Sequence, residues 1–530
     1  MNDWTSGYVA ELDYTHDFYR ELAPSHLAFC ATSQGQKHGL NQPTLNYCEL
    51  GCGQGFSANL LAAANPHIEV HAMDFNPAHI HGARELAEQA QSPNMHFYEN
   101  SFEDFATVSG LPESFDVIAL HGVYSWVSRK NQNYILDFLA KRLKPGGLVY
   151  VSYNTMPGWA AALPLRRILA DRVSQGEGPL PPRIQDAIEH VTELQSIGTG
   201  YFDSNPSLAA WLAKVKTMSP NYLAHEYLNK DWTPFHFADL AGDMSQAKLS
   251  FLASADPSDH VEDLLFTPEQ IAALQAEVNP MRRQALRDVI LNEQFRTDIF
   301  AKGRLRHSER GTIGAWFETP LALTRRYAGG SIKLTCRNRE IPLEQTQYEP
   351  ILNALKDGPQ TVRALLDRGV FGTGTWADIS RTLTILVGTG HLAPCLQQDG
   401  LAERSERCRA FNLAVCKRAE DSETLRFLAS PVTGSGIEFD RFEQLFLLAR
   451  SEGLSTPNEW ADLAWQILAP QGQRLHLDGR ILETPEENLA VLRVRANAFA
   501  AQRLPLCESL GITLEPPSPE PQTQQSQAAA

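Results

Sequence analysis

Three observations predict an α/β protein whose seven-stranded sheet is covered by helices on both faces. Short apolar strands alternate with amphipathic helices between residues 45 and 153, and a glycine-rich turn joins the first strand to the first helix. Two more strand patterns, at 249–254 and 296–303, follow a long helical stretch. Alternation of this kind gives a largely parallel sheet. A chain of 530 residues is too long for one core, so two to four domains are expected.

In chain order, Leu45 to Leu50 reads as a buried strand that stops at Gly51, Gly53 and Gly55, and Phe56 to Ala64 has helical composition. A strand that ends in glycines and becomes a helix brings backbone close to a nucleotide. A dinucleotide fingerprint would place its third glycine where this chain has Phe56. Ile68 to Met73 is a second strand ending at Asp74, nineteen residues after Gly55, where an acidic side chain holds a ribose diol. Ala78 to Gln91 is a helix, Met95 to Glu99 a third strand and Phe115 to His121 a fourth. The helix Asn133 to Leu143 stops at Lys144-Pro145-Gly146-Gly147, and Leu148 to Tyr153 is the fifth strand. Residues 160–230 read as a helical insertion, after which Leu249 to Ser254 and Arg296 to Gly303 complete the sheet.

Beyond residue 310 the pattern changes. Three short helices at Ile351–Leu355, Thr361–Leu366 and Trp376–Val387, then GTGHLAPC, follow the order of a winged helix within a region of 311–420. The third helix carries one Asp, one Arg and no Lys, whereas a DNA-reading helix needs basic and amide side chains. A protein-contact or packing role is therefore expected. Residues 421–514 suggest an α-helical domain, and the Pro/Gln-rich stretch 515–530 a disordered tail.

Composition narrows the function. Against 46 basic residues stand 62 acidic ones, a net charge of −16 that disfavours non-specific nucleic-acid binding. Eight scattered cysteines without a CxxC pair argue against structural zinc or a disulfide framework. No signal peptide or apolar run near ~18 residues is evident, so a cytoplasmic location is expected. His67, His71, His79, His81 and His96 are crowded, but they fall on different elements and are read as surface or packing residues rather than a metal site.

Glu49 followed by G-x-G-x-G, with Asp74 correctly spaced, resembles motif I of class I S-adenosylmethionine-dependent methyltransferases. LKPGG before the fifth strand is a frequent phrase of the same family. HGVYSWVS (121–128), SYNTMPGW (152–159) and AHEYLN (224–229) resemble bacterial methyltransferases with a methyltransferase regulatory domain, among them the rickettsial protein-lysine methyltransferases. The resemblance covers roughly residues 1–310. It implies a Rossmann-like fold, S-adenosyl-L-methionine as cofactor and methyl transfer to protein lysine ε-amines. It also implies that residues 1–44, with Tyr8, Tyr14, Phe18 and Tyr19, form a lid over the cofactor, or else pack on the sheet edge.

By this resemblance Gly51, Gly53 and Gly55 admit the methionine portion of the cofactor. Glu49 orders the loop or meets the amino group, and Asp74 binds the ribose. Phe75, Ser101 and Phe102 stand where the adenine is contacted, or serve packing and turns. Methyl transfer is an in-line displacement that depends mainly on positioning and exclusion of water. At the end of the fourth strand the chain has His121-Gly122-Val123-Tyr124-Ser125-Trp126 instead of the [DNS]-P-P-[YF] of nucleobase-amine methylation. Tyr124 and Trp126 would suit an aliphatic ammonium through cation–π attraction. His121 would accept its proton or hydrogen-bond the backbone, and Tyr153 and Asn154 are further pocket candidates. The expected partners are a protein substrate and, as an open alternative, a second copy of the chain, with no nucleic acid and no membrane insertion. Two other functions stay open: a small-molecule (natural-product) methyltransferase, and a scaffold that binds the cofactor without catalysis.

Overall fold

The computed structural model describes residues 16–336, 339–341 and 343–515. After α1 (Pro24–Ser33), the chain runs β1 (Leu45–Leu50), α2 (Phe56–Ala64), β2 (Ile68–Asp74), α3 (Pro77–Gln89), β3 (Met95–Glu99), α4 (Phe102–Phe105), β4 (Phe115–Leu120), α5 (Arg129–Arg142) and β5 (Leu143–Asn154). Five helices follow: α6 (Leu163–Gln175), α7 (Leu180–Ser196), α8 (Gly200–Ser204), α9 (Ser207–Val215) and α10 (Pro220–Tyr227). Next come α11 (Phe237–Gln246), β6 (Leu249–Ser254) and β7 (Phe295–Lys302).

The seven strands form one sheet in the order β3-β2-β1-β4-β5-β7-β6. Strands β1 to β5 pair in parallel, while β7 is antiparallel to both β5 and β6. Strand β5 begins five residues earlier than the sequence pattern suggests. Leu143 already pairs with Phe115, and Lys144 to Gly147 make an irregularity within the strand instead of a separate turn.

Alternation along the strands feeds two cores. Tyr47, Val70, Val117 and Tyr150 face one way, with α2 and α3 over them. Cys48, Leu50, Ile118, Val149, Val151 and Tyr153 face the other, against α5 and α11. Burial of both faces is what a parallel sheet requires. The inserted helices α6 to α10 build a third core of their own around Trp159, Leu165, Leu169, Ile184, Leu212 and Tyr227.

Helix α2 explains much of the remaining architecture. Its sequence, FSANLLAAA, has no polar face, and all nine residues are buried. A helix apolar all round must be covered on its outer side as well. The helix Leu401–Arg418 and the hairpin Phe427–Ser430/Ser435–Glu438 supply that cover, with Phe56 against Phe411 at 5.9 Å and Phe18 against Phe427 at 5.5 Å. This hairpin lies in the segment expected to be helical. Around it are the helices Arg441–Ser451, Pro457–Leu468 and Pro485–Ala498. The first core accordingly runs without a break from the sheet into the C-terminal half.

The expected winged-helix region contains the helices Gln345–Ala354, Val362–Asp367 and Trp376–Gly388. Strand Leu392–Pro394 does not turn into a hairpin wing. It pairs with Pro320–Leu323, which precedes the helices and also pairs with Gln360–Thr361. The third helix is docked on the rest of the chain: Arg381 binds Asp263 at 2.6 Å, and the Arg20 guanidinium donates to the Val387 and Gly388 carbonyls at 3.0 and 2.7 Å. Of the expected disordered tail 515–530, residues 516–530 lie outside the described residues, as do Tyr8 and Tyr14.

Candidate functional site

The carboxyl ends of β1, β2 and β4 open into one cleft, as expected of an open α/β sheet. Its floor is the turn after β1. Gly51, Gly53 and Gly55 all have positive φ, at 74°, 52° and 64°. At Gly51 the space is also closed: a Cβ there would sit 2.6 Å from Val123 Cγ2. At Gly55 it would meet Ala83 Cβ at 2.6 Å and the Phe97 ring at 2.7 Å. Gly51 and Cys52 donate their N–H groups to the Met73 carbonyl at 2.8 and 2.9 Å, which ties the turn to β2. Helix α2 then starts at Gly55 without a side-chain cap. Its first N–H groups are thus left to a ligand or water.

Two carboxylates flank this floor. Asp74 accepts from Gly53 N–H at 2.9 Å on one oxygen and from Asn76 N–H at 2.9 Å on the other, with His79 Nδ1 3.4 Å away. It therefore braces the glycine turn, with one lone pair on each oxygen left for a diol. Glu49 is 4 % exposed, and its Oε2 has no partner among the described residues. Burial, reinforced by the nearby Asp74 charge, pushes its carboxyl up to about 8. An orphaned buried carboxylate oxygen costs free energy until a donor, best a cationic one, meets it. A Cβ-free cradle, an uncapped helix start and a carboxylate lacking its cation together fit an amino-acid-bearing nucleoside.

The far wall comes from the end of β4 and from residues 16–22. His121, Gly122, Val123 and Trp126 line it from β4 and Asp17 and Tyr19 from the N-terminal segment, while Phe75 after β2 and Phe102 at the start of α4 complete the lining of the cleft. The His121 ring stacks on Tyr19 with centroids 3.6 Å apart, and its Nδ1 lies 2.8 Å from the Tyr150 hydroxyl. Burial holds the His121 imidazole down to about 4. It is neutral at physiological pH and a poor proton acceptor.

Of the candidate residues, Glu49, Gly51, Gly53, Gly55, Asp74, Phe75, Phe102, His121 and Trp126 share this cleft. Four others are placed elsewhere. Ser101 caps α4, accepting from Asp104 N–H at 3.2 Å. Tyr124 is fully buried in the second core, its hydroxyl donating to Asp243 at 3.1 Å, where Arg129 also binds. Tyr153 is turned to the same side by strand alternation and donates to Asp298 at 2.6 Å, beside the buried Arg296. The tyrosines are corrected from pocket walls to core anchors. Asn154, at the end of β5, is 1 % exposed, and its backbone N–H donates to Ser125 Oγ at 2.9 Å, outside the lining of the cleft. His16, Gln54, Val123 and Val127 line the cleft without being candidates in the sequence, and so does His79, which the sequence suggests as a surface or packing residue. Only their position next to the motif residues could have drawn notice.

His71 and His96 stack at 4.6 Å, with Tyr98 and Glu69 as partners. Among the described residues no group of three or more His, Cys, Asp or Glu is arranged to hold a metal ion, and no helix is long and apolar enough to cross a membrane.

Comparison with known proteins places this geometry. Residues 41–196 match the model of a methyltransferase domain, and residues 219–302 that of a predicted methyltransferase regulatory domain. The second match runs from α10 to β7, N-terminal to the region 311–420 expected to be regulatory. An uncharacterized protein of Synechocystis is 38 % identical over 510 residues, covering 96 % of this chain and all of the relative. An uncharacterized protein of Rickettsia prowazekii is 26 % identical over 56 % of this chain and 53 % of its own. The solved structure of PKMT2 from Rickettsia typhi in complex with AdoHcy superposes with a TM-score of 0.67 at 18 % identity, covering 91 % of this chain and 98 % of that one.

Proposed function

We propose that this chain, which belongs to the class I S-adenosylmethionine-dependent methyltransferases carrying a methyltransferase regulatory domain, methylates lysine side chains of a protein substrate. Its cofactor is S-adenosyl-L-methionine. When bound, that cofactor supplies a methyl group on a positively charged sulfur. The orphaned Glu49 carboxylate would take its amino group, Asp74 its ribose hydroxyls, and Phe75 and Phe102 its adenine. The glycine turn allows the approach that any side chain at Gly51 would block.

The observation that carries the lysine reading is the aromatic wall at the methyl-bearing end of the cleft. Trp126 and the stacked pair Tyr19 and His121 stand where the [DNS]-P-P-[YF] of nucleobase-amine methylation would be. Such a wall favours an aliphatic ammonium by cation–π attraction and by covering its methylenes, and it excludes water. The resemblance of HGVYSWVS, SYNTMPGW and AHEYLN to the rickettsial protein-lysine methyltransferases supports the same acceptor. The test is incubation with methyl-labelled S-adenosylmethionine and a lysate of the source cells, followed by separation into protein, nucleic acid and small molecules. Label in protein is expected. Label confined to small molecules would replace this reading with a metabolite methyltransferase.

A further inference from the structure

One imidazole in the cofactor cleft is left without a hydrogen-bond partner. His79 is 2 % exposed and lines the cleft beside Asp74. Neither of its ring nitrogens is paired among the described residues, and Asp74 Oδ1, at 3.4 Å from Nδ1, lies beyond ordinary N–H···O length. Three other buried imidazoles are satisfied: His26 meets the Ala255 carbonyl at 2.7 Å, His71 the Tyr98 hydroxyl at 3.0 Å, and His121 the Tyr150 hydroxyl at 2.8 Å. Buried polar atoms without partners are rare in a protein interior, and each calls for an explanation.

Local structure fixes the position of this ring. Asn76 donates its N–H to Asp74 Oδ1 at 2.9 Å and caps α3, its side chain accepting from Ala78 N–H at 3.0 Å. Pro77 opens the helix, and His79 is its third residue. His79 heads a buried stripe that continues through Ile80, Ala83 and Leu86, spaced as one helix face. Ala83 lies where a Cβ on Gly55 would touch it, so the stripe packs on the glycine turn. Packing alone would put an apolar side chain at the head of this stripe. A histidine there places a donor in the wall of the cleft, next to the carboxylate assigned to the ribose.

We propose that His79 is a second ribose contact, which reads one hydroxyl of the cofactor's diol together with Asp74. This rests on the assignment of the cleft to S-adenosyl-L-methionine and of Asp74 to its ribose, and it is independent of the acceptor. A hydroxyl offers one donor and two acceptor lone pairs. The Asp74 carboxylate can only accept, and its oxygens already take the Gly53 and Asn76 N–H groups. It can receive the hydroxyl proton, but the hydroxyl oxygen then still lacks a donor. The His79 imidazole carries a ring N–H in either protonation state and supplies that donor. The pair therefore complements a hydroxyl in both senses. A cofactor analogue without that hydroxyl leaves the buried ring unpaired again, and a site of this kind rejects it.

The experiment is calorimetry of S-adenosylhomocysteine and of its 2′-deoxy and 3′-deoxy analogues, with full-chain wild type, His79→Leu and His79→Gln. Wild type is expected to bind at least one deoxy analogue about tenfold or more weakly than S-adenosylhomocysteine. In His79→Leu that penalty should be about fivefold smaller, and S-adenosylhomocysteine itself should bind about fivefold more weakly. His79→Gln keeps a donor and an acceptor and should keep part of the discrimination; it carries the same comparison if the leucine variant fails to fold. Variants that weaken all three ligands by one factor, as a packing defect would, or that change none, overturn the role of His79 while the ribose assignment stands. Wild type that binds both analogues as tightly as S-adenosylhomocysteine overturns the ribose assignment of Asp74 and this contact together.

Discussion

At Gly51 two constraints coincide: a φ of 74° and a Cβ position 2.6 Å from Val123. Replacing glycine there costs about 1–2 kcal/mol for the backbone alone, and the clash must be relieved by moving the β4 loop that walls the cleft. Gly51→Ala is expected to weaken S-adenosylhomocysteine binding at least about tenfold, read by calorimetry. Glu49 makes a different prediction because its folded carboxyl is near 8 against an ordinary 4.5. Below about 4.5 it is protonated folded and unfolded, with no penalty. Between 4.5 and 8 the native protein holds a proton the unfolded chain has shed, so stability falls as pH rises and then levels off. Glu49→Gln should therefore raise the ligand-free melting temperature at pH 8, with a gain that fades toward pH 4.5. It should at the same time weaken cofactor binding, since the amide no longer offers a charge. A variant that melts lower than wild type at pH 8 would contradict the orphaned state of this carboxylate.

At the scale of elements, the strand pattern was largely readable because parallel strands announce themselves as apolar runs between helices. The places where reading failed have physical reasons. Leu143 to Gly147 resembles a turn in composition, yet β5 starts there because Leu143 finds a partner in Phe115. Chain position, and for Tyr124 the aromatic ring, point Tyr124 and Tyr153 toward the cleft, whereas alternation sends Tyr153 with Val149 and Val151 to the opposite face. The buried set Arg296, Asp288, Asp298 and Tyr153 fastens β7 to β5 and to the helix Pro280–Leu291, with ion pairs of 2.6 and 2.8 Å. Arg296→Leu strands two buried carboxylates and is expected to cost about 3–5 kcal/mol in urea unfolding. Arg20→Ala removes two hydrogen bonds to the end of the helix Trp376–Gly388. It should accelerate hydrogen exchange across that helix while leaving β1 to β5 protected.

For the molecule as a whole, α2 sets the organisation. It forms the glycine turn's helix on one side and is roofed by the C-terminal half on the other, so cofactor site and C-terminal half share one core. A chain cut after residue 310 would expose the outer face of α2 and is expected to lose cooperative unfolding in calorimetry, whereas the full chain should melt with its N- and C-terminal halves together. The central claim concerns the acceptor, and the most direct measurement is of where the methyl group ends. Proteins labelled by the purified chain should be digested and sequenced by mass spectrometry, and the label challenged with mild alkali. The account predicts methylated lysine whose label survives alkali. Label released by alkali, as from a carboxyl methyl ester, or label absent from every lysine, would contradict it.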